Sequence, residues 1–139
     1  MSLDAGGWLR RASPVALALL LVGSGVLHLI KPEPYEKIVP RVLGHEEFFV
    51  QASGILELAA AALLLVPRTR RWGGAVTAAL LVAVFPANVQ MALDGADPDG
   101  GFFTGSAVLL WLRLPLQPVL IWWAWSIVRA GSPPARKAR

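Results

Sequence analysis

Four long stretches of the chain are almost continuously apolar, and most polar residues lie between them. The apolar stretches cover about residues 14–30, 48–66, 72–93 and 103–128. A helix needs about 20 mainly apolar residues to cross a bilayer. The pattern therefore predicts an all-α integral membrane protein, with a single domain of four transmembrane helices over residues 1–130.

The alternative is a soluble all-α domain with buried helices. Helices at the surface of such a domain carry polar faces that repeat every 3.6 residues. Residues 59–66 and 80–85 are apolar on every side. This favours the bilayer as the surroundings of the helices.

The connections between the stretches are short, so consecutive helices are predicted to pack as an up-down-up-down bundle. Pro86, Pro115 and Pro118 fall inside the third and fourth stretches and are expected to bend them. The first connection holds three prolines, which exclude a long helix there. Residues 131–139 (GSPPARKAR) are expected to form a disordered basic tail.

Charges alternate between the two sides of the predicted bundle. Nine Lys and Arg residues lie at the termini and between the second and third helices, against three in the other two connections. Cytoplasmic loops carry an excess of Lys and Arg. Both termini are therefore predicted to be cytoplasmic, in what we expect to be a bacterial cytoplasmic membrane. This distribution explains the net charge of +4 without a nucleic-acid partner.

The first apolar run has a second interpretation, as a twin-arginine or ordinary secretory signal, because Arg10 and Arg11 precede it. No small-x-small cleavage site ends that run, which finishes in Leu27, His28, Leu29 and Ile30. We therefore interpret the two arginines as an anchor that sets orientation.

Composition limits the chemistry of the chain. It has no cysteine, which excludes disulfides, thiol nucleophiles and thiolate metal ligands within it. Its two histidines are not spaced for a shared metal on one helical turn, so no metal site is predicted.

Five polar side chains fall inside the predicted spans. A charge at the middle of a bilayer costs about 2.5–3.5 kcal/mol on insertion scales and normally faces the bundle interior with a partner. We therefore expect these residues to converge in one half of the bundle and Glu57 to pair with Arg113. The five residues are His28, Glu57, Asn88, Arg113 and Gln117.

Two interpretations of this cluster remain open. In the first, it lines a ligand pocket, with His28 beneath the loop that carries Tyr35. In the second, it is a packing clamp whose members bond one another and free backbone near Pro86.

Four segments, taken in order, resemble the DoxX-like family of small four-helix membrane proteins. They read GVLHLIKPEPYEKIVP, ASGILELAAAALLLVPRTRR, VAVFPANVQMAL and WLRLPLQPVLIWWAW. The order and spacing of eleven residues fit that family's pattern: His28, Pro32, Tyr35, Pro40, Gly54, Glu57, Pro67, Pro86, Asn88, Arg113 and Gln117.

The resemblance implies two functions of different class. Namesakes of the family are membrane subunits of a thiosulfate:quinone oxidoreductase, which implies an accessory subunit of a redox-linked complex that binds a quinone-like or other amphipathic molecule. Other members are assembly factors, which implies a non-catalytic scaffold. The expected partners are the lipid bilayer and another membrane protein or a second copy of the chain. Transport ranks third, because no inverted repeat is visible.

Overall fold

Four long helices make up most of the protein. The computed structural model describes residues 5–95 and 106–131, with side chains from Arg11 onward. The elements, in chain order, are α1 (Ala5–Ile30), α2 (Glu33–Glu36), a 3₁₀ turn (Arg41–Leu43), α3 (Glu46–Leu65), α4 (Arg70–Asp94) and α5 (Ala107–Ala130).

The four predicted spans are confirmed as helices. α1 begins nine residues before the predicted start and continues through Pro14, because the residues that precede the apolar run are also able to form helix. α4 continues through Pro86, and α5 continues through Pro115 and Pro118. The predicted start of the fourth span and the predicted tail lie outside the described residues.

Each long helix is apolar on its outside. All four are long and apolar enough to cross a membrane, and only 17–28% of the most apolar window of each is buried inside the protein. The remaining surface carries large apolar side chains such as Leu19, Phe48 and Trp122. Apolar patches of this extent are rare on soluble monomers and are compatible with helices that cross a membrane.

The helices pack in chain order. α1 lies against α3, α3 against α4, and α4 against α5, whereas α1 and α5 meet over a much narrower contact. Glycines bring two of these pairs close together. A Cβ on Gly25 would lie 2.8 Å from the carbonyl oxygen of Gly54, and a Cβ on Gly74 would lie 2.7 Å from that of Ala124. Small residues allow such backbone approach in membrane bundles.

A cluster of buried apolar side chains occupies one half of the bundle, which we call the apolar half. All four long helices contribute to it. Its members are Leu17, Ala18, Leu21, Ala60, Ala61, Leu64, Ala78, Ala124 and Ile127.

The α3–α4 connection closes the end of the apolar half. The hydroxyl of Thr69 donates to the carbonyl of Leu63 at 2.8 Å, and Nε of Arg70 donates to that of Leu64 at 3.1 Å. The last turn of a helix leaves carbonyls without intrahelical donors. These two side chains supply donors to the end of α3.

The opposite half contains the polar side chains of the spans, and we call it the polar half. The α1–α3 connection lies at its end. As the three prolines predicted, this connection has no long helix, only α2 and the 3₁₀ turn. α2 packs against α3, which brings Tyr35 to the bundle.

Candidate functional site

His28 lies in the last turn of α1, with Nδ1 2.8 Å from the carbonyl oxygen of Ser24. A carbonyl oxygen only accepts hydrogen bonds, so Nδ1 carries the hydrogen in this contact. In a neutral imidazole the other ring nitrogen is then an acceptor. The geometry of the helix therefore assigns the tautomer of His28.

Glu57, near the middle of α3, faces His28. Its Oε2 lies 3.6 Å from Nδ1 of His28, and the two side chains are 12% and 14% exposed, respectively. This distance suits an ion pair when the imidazole is protonated but is too long for a hydrogen bond. Within the described part of the chain, Oε2 has no hydrogen-bond partner.

Ser53 lies one helical turn before Glu57 on the same side of α3. Its buried Oγ also lacks a hydrogen-bond partner among the described residues. A buried polar group without a partner costs about 1–3 kcal/mol. Two such atoms one turn apart form an unsatisfied polar strip on α3.

Tyr35 covers His28. The two rings stack with centroids 4.0 Å apart and planes inclined by 26°. Burial raises the pKa of the Tyr35 phenol above its ordinary value, with the positive charge of Arg113 opposing the rise and the carboxylate of Glu57 adding to it. The phenol therefore stays protonated at neutral pH and remains able to donate a hydrogen bond.

Arg113 enters this group from α5. It interacts with Tyr35, and its Nη1 lies 3.7 Å from Sδ of Met91 on α4. Among the described residues, Glu57 makes its ion-pair contact with His28. The Glu57–Arg113 pair stays a prediction.

Asn88 and Gln117 form a separate contact between α4 and α5. Nδ2 of Asn88 donates to Oε1 of Gln117 at 2.6 Å, and Nε2 of Gln117 donates to the carbonyl of Leu81. Gln117 is only 2% exposed. Both ends of its amide are therefore used within the protein, as in a packing clamp.

The six residues proposed from the sequence thus divide into two groups. His28, Tyr35, Glu57 and Arg113 form what we call the His–Glu cluster, whereas Asn88 and Gln117 form what we call the amide clamp. Sequence reasoning did not identify Ser53 as polar lining. Ser53 lies four residues before Glu57, which places both side chains on one face of the helix. This spacing could have identified Ser53 from the sequence.

The cluster offers mixed chemistry. Glu57 Oε2 and Ser53 Oγ are oxygen atoms without a hydrogen-bond partner among the described residues, and Tyr35 and Arg113 carry donor groups. Within the described ranges, no three His, Cys, Asp or Glu residues lie close enough together to hold a metal ion. The arrangement is suited to hydrogen-bonding a polar head group between the last turn of α1 and the middle of α3.

Comparison with known proteins assigns a family. No curated protein matches the chain, and no solved structure matches it. A family model matches residues 17–128, which include every residue of the His–Glu cluster and the amide clamp. The chain therefore belongs to the family described as "Domain of unknown function (DUF8561)".

Proposed function

We propose that the protein is a DoxX-like accessory subunit of a redox-linked membrane complex. In this proposal the His–Glu cluster binds the head of a small amphipathic molecule, a quinone-like compound or one of similar shape. The observation that carries the proposal is the convergence of His28, Tyr35, Glu57 and Arg113 from three long helices and one connection. Next to them are two buried oxygen atoms for which the described residues provide no hydrogen-bond partner.

The contrast with the amide clamp supports a ligand. A polar contact that only holds helices together can be completed within the protein, as Gln117 shows with its two bonds. The His–Glu cluster is incomplete by the same standard, since Oε2 of Glu57, like Oγ of Ser53 one turn away, has no hydrogen-bond partner among the described residues. Buried polar atoms of folded proteins are normally satisfied. A bound head group would satisfy these.

The head group would be held from several sides. In this proposal Arg113 and Tyr35 donate hydrogen bonds to an oxygen of the molecule, and Glu57 and Ser53 accept hydrogen bonds from it. The apolar surfaces of the helices suit the rest of an amphipathic molecule. Any electron transfer would be supplied by such a molecule and a partner protein, since the chain itself has no cysteine.

The proposal includes a topology. We infer an up-down-up-down bundle in the bacterial cytoplasmic membrane with both termini in the cytoplasm, supported by the nine-to-three asymmetry of Lys and Arg. The His–Glu cluster then lies in the outer half of the bilayer and Tyr35 in an external loop.

Single cysteines test this orientation, because the native chain has none. Val42 in the α1–α3 connection is 91% exposed, and Arg68 in the α3–α4 connection is also exposed. An impermeant maleimide added to intact cells should label Val42→Cys and spare Arg68→Cys until the cells are lysed. The reverse labelling would contradict the orientation.

The ligand is tested by native mass spectrometry of the protein purified in a mild detergent. We expect a small molecule to copurify with the wild type and to be lost from His28→Leu, since leucine fills similar space without hydrogen-bonding atoms. Gln51→Leu is the matched control, because Gln51 is exposed on α3 and bonds only Glu47 among the described residues. It should retain the molecule.

The second candidate is a non-catalytic assembly or scaffold protein, and the fully paired amide clamp favours it. In that case, wild type and His28→Leu would both purify without a small molecule. A membrane protein or a second copy of the chain would instead remain attached through crosslinking and purification.

A further inference from the structure

We infer that the molecule bound at the His–Glu cluster has a head-group hydroxyl that donates a hydrogen bond to Glu57. This inference rests on the proposed function and narrows its ligand class. For a quinone-type molecule it selects the hydroxyl-bearing, reduced form over the oxidised form.

The unsatisfied strip of α3 accepts hydrogen bonds. Oε2 of Glu57 is buried without a hydrogen-bond partner in the described part of the chain, and a carboxylate oxygen accepts hydrogen bonds. Ser53 Oγ, one turn away, is able to accept as well. A carbonyl or ether oxygen placed here would bring two acceptors together. A hydroxyl supplies the missing donor.

The tautomer of His28 adds to this preference. Its Nδ1 hydrogen is already used by the carbonyl of Ser24 at 2.8 Å. It lies 3.6 Å from Glu57 Oε2, beyond hydrogen-bond length. His28 Nδ1 therefore does not supply the donor that Glu57 Oε2 lacks.

The packing of the helices determines where the apolar tail of the bound molecule leaves the bundle. Below the cluster, the apolar half is filled, with Leu64 and Ala124 fully buried. α1 and α5 meet over a narrow contact, and the bond that joins them, from Trp123 to Ser13, lies in the apolar half. An alkyl tail therefore leaves the polar half between α1 and α5, toward lipid.

Two matched probes test the hydroxyl. 4-Decylphenol and 4-decylanisole differ only in that the second carries a methyl group where the first has its donor hydrogen. Binding to the wild type in lipid nanodiscs is measured by calorimetry, with empty nanodiscs as blanks. A hydrogen bond to a charged group contributes about 1.5–3 kcal/mol, so we expect the phenol to bind roughly 10- to 100-fold more tightly.

Variants then locate the acceptor. Glu57→Gln keeps the size of the side chain but adds a donor, so the preference for the phenol should fall to about threefold or less. Glu47→Gln makes the same change at an exposed position of α3 and should keep the full preference. If Glu57→Gln does not fold, Ser53→Ala replaces it, with an expected loss of part of the preference.

The other outcomes of these binding measurements would contradict either the hydroxyl, the role of Glu57 as its acceptor, or the proposed function. Equal binding of the two probes would overturn the hydroxyl inference and leave the proposed function standing. Binding of neither probe would count against both the inference and the proposed function. Full phenol preference in Glu57→Gln would remove Glu57 as the acceptor.

Discussion

Leu64 in the apolar half has no exposed surface, whereas Glu57, two turns earlier on the same helix, keeps a carboxylate oxygen without a hydrogen-bond partner in the described part of the chain. The same difference separates the two halves of the bundle. In the apolar half, even the polar side chains are satisfied. Thr77, which is completely buried, donates to the carbonyl of Gly73 at 2.7 Å.

The polar half contains both kinds of arrangement. Its amide clamp resembles the apolar half, because Gln117 is buried and fully paired. Its His–Glu cluster is open to a further partner. The comparison indicates that stability resides in the close helix contacts and the clamp, and that the cluster is maintained at some cost to stability. The following predictions test this division, from the largest expected effect to the smallest.

Gly74→Val should be the most destabilising change. A Cβ at Gly74 would lie 2.7 Å from the backbone oxygen of Ala124, so α4 and α5 must separate. Overpacking costs typically about 1–3 kcal/mol, and we expect a loss of about 3 kcal/mol or more, measured by reversible unfolding in mixed micelles. Gly23→Val is the control, since no atom of the described residues lies within 4 Å of its Cβ position. Equal losses at the two sites would contradict the packing.

Gln117→Leu should follow in size. Leucine fills similar volume but leaves Asn88 and the Leu81 carbonyl without their present partner. An unsatisfied buried group costs about 1–3 kcal/mol, and we expect a loss of about 2 kcal/mol in the same unfolding measurement. Gln51→Leu, at an exposed position, should change stability little. An unchanged Gln117→Leu would show that the amide clamp does not stabilise the bundle.

The His–Glu cluster should show a smaller effect on stability. Because Oε2 of Glu57 lies 3.6 Å from His28, a double-mutant cycle of Glu57→Gln and His28→Gln should give a coupling energy of about 1 kcal/mol. A parallel cycle with Arg113→Gln compares the partner that the sequence suggested. We expect the weaker coupling there. A stronger coupling of Glu57 to Arg113 than to His28 would support the Glu57–Arg113 pair that the sequence predicts.

The sequence predicted the long helices and the gathering of polar groups because both follow from one-dimensional patterns. Apolar length identified the four helices, and a spacing of four residues placed Ser24 with His28 and Arg113 with Gln117 on common faces. The early start of α1 was missed because residues 5–13 are not apolar enough to count as a span.

The division of the polar residues into two groups was not predictable from spacing. It depends on how far each helix is rotated about its axis, which the packing of glycines such as Gly25 and Gly54 decides. One partner of Gln117 is the backbone carbonyl of Leu81. Every residue has such a carbonyl, so the sequence does not show which one Gln117 bonds. Equally, the stacking of Tyr35 on His28 depends on the path of the connection.

The smallest effect is expected where α1 meets α5. Nε1 of Trp123 donates to Oγ of Ser13 at 2.6 Å, and Trp123→Phe keeps a ring but removes the donor. Side-chain hydrogen bonds between membrane helices contribute about 0.6 kcal/mol on average, and we expect a loss of that size in the unfolding measurement. Ser13→Ala should lose about as much, and the double variant little more.

This last pair of variants also tests which contacts hold α1 in place. If the apolar cluster of Leu17, Ala18 and Leu21 against α3 holds the helix, removing the Trp123 bond leaves the position of His28 unchanged, and the preference for 4-decylphenol over 4-decylanisole is retained. A loss of stability above about 2 kcal/mol, beyond the largest values seen for such bonds, would show that α1 depends on α5. The two halves would then not be separable, because a contact in the apolar half would control the geometry of the His–Glu cluster.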